Sequence, residues 1–139
     1  MNAGVERARQ IAEQAHAVQT KKVNGEPFIE HVRRVVAGVP GDEEKAVAWL
    51  HDVVEKAPEW SLQRLRRQGF SEQIVAAVDA MTKRSGETRE DFTRRAASNA
   101  LARPVKRADL SDNLAAAECA GNDGSKYRES LRIIAEEFD

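Results

Sequence analysis

Two neighbouring residues, His51 and Asp52, fall late in an apolar helical pattern, and a second imidazole, His31, lies twenty residues earlier. A further carboxylate, Asp109, belongs to a later helical stretch, Lys106-Arg107-Ala108-Asp109-Leu110-Ser111-Asp112-Asn113. A His, then His-Asp, then a distant Asp is a way to gather two imidazoles and two carboxylates around one divalent ion. Nitrogen and oxygen donors together suit Mn, Fe, Zn or Mg, with no thiolate to narrow the choice. On an octahedral ion, these protein ligands leave positions for water and a phosphate oxygen. The ion would acidify that water and neutralise charge on the phosphate. The chemistry implied is metal-dependent hydrolysis of phosphate esters.

Successive residues on a helix differ by roughly 100° in direction. His51 and Asp52 therefore reach one ion only if it sits at the helix edge between them, and the other ligands come from other helices. His31 and Asp109 qualify because each lies in an apolar pattern that turns inward. Buried carboxylates need a cation or several donors. A local salt bridge, such as Asp109 with Lys106, would also satisfy that need. Glu55 follows His51 by four residues and shares its face, where a carboxylate could orient or deprotonate the attacking water. Asn113, four residues after Asp109, could donate to a phosphate or hold Asp109 in place. Lys21 and Lys22 belong to a loop that would overhang the site and attract an anionic substrate. Lys56, four residues after Asp52, could pair with it, hold a phosphate oxygen, or simply suit a helix C-terminus. His16 is expected to cap or hydrogen-bond rather than ligate, and Cys119 to pack as a small side chain.

The elements that must position these residues read as helical almost throughout. Ala, Glu and Arg dominate, and β-branched residues form no alternating runs. A first helix is expected over about residues 2–20, with Ala8, Ile11, Ala12, Ala15 and Val18 on its apolar face. Lys21 to Pro27 is a turn whose proline starts the next helix. That helix carries Phe28, Ile29, His31, Val32, Val35 and Val36. A third begins at the acidic Asp42-Glu43-Glu44, presents His51-Asp52 and is limited by Pro58. Ser61 and Ser71 read as N-caps of two shorter helices separated by Gly69. Thr88-Arg89-Glu90-Asp91 resembles a capping box with Asp for Glu. Two last helices hold Asp109 and then Leu131, Ile133, Ile134 and Phe138, joined through Gly121-Asn122-Asp123-Gly124. The expected fold class is all-α.

A length of 139 residues suits a single domain, 1–139. A net charge of −1 marks neither a general nucleic-acid binder nor a membrane binder. No stretch approaches the ~20 apolar residues that span a bilayer, and no apolar run follows the N-terminal residues as a signal peptide requires. The single cysteine excludes an internal disulfide and suits a reducing compartment. A cytoplasmic protein is expected.

Read together, these residues resemble the HD-domain phosphohydrolase superfamily, and within it the hydrolase domain of RelA/SpoT-type alarmone enzymes. The resemblance runs through Ala15 to Lys22, Pro27-Phe28-Ile29-Glu30-His31, Leu50 to Glu55, Gly69-Phe70, Ala80 to Arg84, and Val105 to Asn113. It implies a single-domain HD-type helical bundle, with a metal, typically manganese, on His31, His51, Asp52 and Asp109. It implies removal of the 3′ pyrophosphate from guanosine tetra- or pentaphosphate. In that picture Glu55 assists the water, Lys21 and Lys22 match the basic loop near the nucleotide, and Asn113 matches a residue of the pocket. One departure is that these hydrolases usually have Glu-Asp where this chain has Glu55-Lys56. No synthetase domain is expected. Two other readings stay open: an HD-type phosphohydrolase of another nucleotide or phosphoester, and a catalytically weak module that binds a nucleotide and keeps the metal as a structural element.

Overall fold

The computed structural model describes residues 2–139. Nine helices follow one another among the described residues, and the only β feature is an isolated bridge between Thr20 and Pro27. They are α1 (Ala3–Ala15), α2 (Phe28–Ala37), α3 (Asp42–Leu50), α4 (Val53–Lys56), α5 (Leu62–Arg67), α6 (Glu72–Ala80), α7 (Arg89–Ala97), α8 (Ala102–Cys119) and α9 (Ser125–Glu137). The all-α expectation holds. None of these helices is long and apolar enough to cross a membrane.

Helix α3 is the axis of the fold because its C-terminal half is apolar on every side. Ala46, Val47, Ala48, Trp49 and Leu50 are all buried in succession, as expected of a helix enclosed by others. It packs against α1, α2, α6 and α8. Val32 and Val35 of α2, Val78 of α6 and Val105 of α8 complete the same core. A smaller cluster of Ala97, Leu110 and Ile134 joins α7, α8 and α9. The polar starts behave as their side chains dictate: Ser61, Ser71 and Thr88 each accept a hydrogen bond from the backbone N–H three residues on. Helix α2 runs close to α8 at its end, where a Cβ on Gly38 would stand 3.2 Å from that of Ala108.

Two boundaries differ from the sequence reading. Helix α1 stops at Ala15 rather than near residue 20. The His16 ring turns inward there and Val18, expected on the apolar face, is 95% exposed. The chain then forms a tight loop in which the Gly25 N–H bonds the Lys21 carbonyl, and Gly25 takes φ +73°, a conformation that favours glycine. The expected third helix is two helices, α3 and α4, broken at His51-Asp52. Asp52 has φ −110° and ψ 0°, outside the helical range. Cys119 is exposed at the end of α8 rather than packed, because the helix projects its last turn beyond the core.

Candidate metal centre

The interruption at His51-Asp52 solves the problem that two adjacent residues pose. In an unbroken helix their side chains diverge. Here the non-helical turn at Asp52 swings both toward α2 and α8. Helix α2 contributes His31 and α8 contributes Asp109. One donor atom from each of His31, His51, Asp52 and Asp109 lies within 4.8 Å of every other. His31 Nε2 is 3.0 Å from Asp109 Oδ1, and His51 Nε2 is 3.0 Å from Asp52 Oδ2 and 3.5 Å from Asp109 Oδ1. Donors bound to one ion at ~2.1 Å sit about 3 Å apart when adjacent and about 4.2 Å when opposite, so these three short spacings suit neighbouring ligands of a single ion.

The donor chemistry fits as well. Both imidazoles are buried, whereas Asp52 and Asp109 keep a narrow opening outward. His51 Nδ1 donates to the Ala48 carbonyl at 2.6 Å, which leaves the Nε2 lone pair for another partner. His51 Nε2 is buried and makes no hydrogen bond among the described residues. A buried nitrogen without a hydrogen bond, facing two carboxylate oxygens, is what a divalent cation would satisfy. Burial opposes a charge on His51, but Asp52 and Asp109 outweigh it and hold its pKa well above the usual imidazole value. Burial likewise opposes ionisation of Asp109, and the two imidazoles reverse it, holding that carboxyl well below its usual range.

A carboxylate that sequence reasoning passed over completes the centre. Asp112 Oδ2 accepts from His31 Nδ1 at 2.6 Å, fixing the tautomer that turns Nε2 toward Asp109. Arg34 in turn donates to Asp112 through Nε at 2.6 Å and pairs with Glu26. Burial works against the charge on Asp112, but Arg34 and His31 prevail and lower its pKa. The spacing carried a signal: His31 and Arg34 stand three apart on α2, Asp109 and Asp112 three apart on α8, and the two helices pack together.

The centre opens into a cavity of about 780 Å³. Glu55 lines it from α4. Lys21 and Lys22 line it from the loop before α2, Lys21 partly buried and Lys22 exposed. Asn113 donates to Asp109 at 3.2 Å and accepts from Lys21 Nζ at 2.6 Å, so it ties the loop lysine to one of the four candidate ligands. Burial lowers the Lys21 pKa, with Asp112 and Asp109 opposing. Lys56 makes no ion pair with Asp52 among the described residues. Its ammonium lies 5.0 Å above the Phe28 ring, facing the cavity. Lys106 does not bridge to Asp109 either. It is buried, with Nζ 3.8 Å over Phe92. His16 is no ligand: its Nδ1 bonds Gln19 Oε1 at 2.6 Å, and Gln19 holds the Lys56 carbonyl.

Fold and site define a class: an all-helical domain that brings two imidazoles and two carboxylates from separate helical segments to the floor of one cavity. A solved structure shares the fold. It is that of a metazoan ortholog of SpoT, described as hydrolysing ppGpp and playing a role in starvation responses. The superposition has a TM-score of 0.79 and covers 100% of this chain and 89% of that one, at 21% identity. The likeness expected from the sequence therefore holds at the level of fold. No protein-family model and no curated protein sequence matches the chain.

Proposed function

We propose that this chain is a metal-dependent phosphohydrolase, one HD-type domain over residues 1–139, that removes the 3′ pyrophosphate of a guanosine alarmone in the cytoplasm. The observation that carries the reading is the convergence of His31, His51, Asp52 and Asp109 around the orphaned His51 nitrogen, at the floor of a cavity rich in cations. Six cationic side chains, Lys21, Lys22, Lys56, Arg89, Lys106 and Lys126, line that cavity against four carboxylates, Asp52, Glu55, Asp109 and Asp123. Two of those carboxylates belong to the metal set. The remaining excess of positive charge suits a small ligand with several phosphates. The volume suits a nucleotide, and the fold is shared with a protein described as hydrolysing ppGpp.

Manganese is the metal we assign to the four ligands. When bound, a divalent ion acidifies water and neutralises phosphate charge. The chain's own groups do the rest. Glu55, on the cavity wall, takes the proton of the attacking water. The water oxygen forms a bond to phosphorus, the bond from phosphorus to the 3′ oxygen breaks, and that oxygen leaves with the proton that Glu55 took from the water. Lys21, Lys22 and Asn113 hold the nucleotide's phosphates in line with the water. The test is a screen of manganese-loaded protein against phosphorylated nucleotides, alarmones included, with product identification. Glu55→Gln should keep its metal and lose turnover by about 10²-fold or more. No turnover of any phosphorylated nucleotide by the wild type overturns the reading.

A further inference from the structure

Lys106 stands out among the charged groups of the molecule. It is 5% exposed, and among the described residues it makes no hydrogen bond and no ion pair. Burying an ammonium is costly unless something compensates it. Asp109, Asp52 and Glu55 are near enough to act on it through space, and Arg89 opposes them, yet none of the carboxylates touches it. Its ammonium lies over the face of Phe92, 3.8 Å from the ring centroid. A ring face steadies the charge but accepts no conventional hydrogen bond, so the ammonium's donors stay free. Lys106, Asp109 and Asn113 recur at helical spacing on one face of α8, and all three line the cavity. An unpartnered cation held on an aromatic support, one turn from a metal-facing carboxylate, is arranged for an anion that comes from outside.

We propose that Lys106 is a substrate-contacting residue whose ammonium donates to an oxygen of the scissile pyrophosphate, on the Phe92 side of the metal ligands. The assignment rests on the phosphohydrolase reading. It sets Lys106 apart from Lys21, whose ammonium is already engaged by Asn113, and from the exposed Lys22 and Lys126, which line the rim. A fixed cation beside the ion would repel it in the resting site, and the arriving phosphate would relieve that repulsion.

The experiment compares wild type with Lys106→Met, which keeps length and apolar fit while removing the charge. Three quantities are measured on both: manganese content, calorimetric affinity of the manganese-loaded protein for inorganic pyrophosphate, and Tm without pyrophosphate. The proposal expects full manganese content, pyrophosphate affinity at least about tenfold weaker, and a Tm equal to or above wild type, because an uncompensated buried charge has been removed. Unchanged pyrophosphate affinity overturns the proposal. So does a weaker affinity accompanied by a lowered Tm and lost metal, which would make Lys106 a structural support of Phe92 and Asp109. Nucleotide turnover by wild type separates the two levels: if it is present while Lys106→Met binds pyrophosphate normally, only this inference fails, whereas its absence overturns this inference and the functional reading together.

Discussion

Replacing Asp112 tests whether His31 is a metal ligand held by a carboxylate behind it. Asp112→Asn keeps the shape and an oxygen that can accept from His31 Nδ1, but removes the charge. Asp112→Ala removes both. Loss of a carboxylate that orients a ligating imidazole typically costs 10–100-fold in metal affinity, about 1.4–2.8 kcal/mol. The Asn variant belongs near the lower figure, since the 2.6 Å contact to His31 can persist, and the Ala variant near the upper. Either change also releases Arg34, which keeps Glu26 as its partner. That half-exposed pair contributes well under about 1 kcal/mol, but it affects the metal-free protein too. The quantity to measure is therefore the rise in Tm on adding manganese, at fixed free metal. A ligand that binds only the native state stabilises it by RT ln(1 + [L]/Kd), so a tenfold or hundredfold weaker site loses the same 1.4–2.8 kcal/mol. For a chain of 139 residues, about 4 °C accompanies each kcal/mol. The manganese-induced rise should shrink by about 6 °C in Asp112→Asn and about 11 °C in Asp112→Ala, with matching Kd values by calorimetry. A full wild-type rise in Asp112→Ala would refute the reasoning, since His31 would then need no partner to serve the ion.

Manganese affinity should climb as pH rises above the ordinary imidazole value of about 6.5. The pKa of His51 is raised in the ion-free fold, so its pairing with the carboxylates stabilises that fold at low pH and is lost as pH rises through the raised value. The ion needs the same nitrogen unprotonated, so uptake should release a proton. Calorimetry in two buffers of different ionisation enthalpy would detect it, and identical heats at neutral pH would exclude it. Glu87, held by Arg95 down to about 2 from an ordinary 4.5, contributes stability above its ordinary value that is lost as pH falls through about 2. Glu87→Gln should lower stability by about 1 kcal/mol at neutral pH, because Arg95 also ties α7 to the Thr82 and Asp79 carbonyls. Urea unfolding across the acid range should show the two proteins converging. Lys56→Asp should retain its metal and raise alarmone turnover, since an acid at that place belongs to the resembled hydrolases. An Asp variant slower than an efficient wild type would make Lys56 a working part of the site.

What the sequence disclosed and what it hid divide along the range of the forces involved. The caps at Ser61, Ser71 and Thr88 act over three residues and could be read directly. The metal set could be read because its residue types are improbable in that order, although nothing local shows that they meet. The break at His51-Asp52 was hidden. No Gly or Pro marks it, and Val53 and Val54 continue the helical period past it. It is held instead from within the fold: the His51 ring bonds the Ala48 carbonyl, Gln19 secures the Lys56 carbonyl from the loop after α1, and Asp109 of α8 faces the turn. The same logic explains Asp112 and Lys106. On α8 alone, Asp112 looks like a surface acid and Lys106 like the local partner of Asp109. Only the docking of α2 supplies His31 and Arg34 to the first, and only that of α7 supplies Phe92 to the second. The hidden features are thus those that join elements across the cavity, where local preference is overruled in favour of one arrangement of charge. An aspartate that leaves the helix and a lysine buried without a partner are both locally unfavourable, and both face the same cavity. A helix break and an unpaired ammonium gathered at one cavity mark where contacts between elements have overruled local preference.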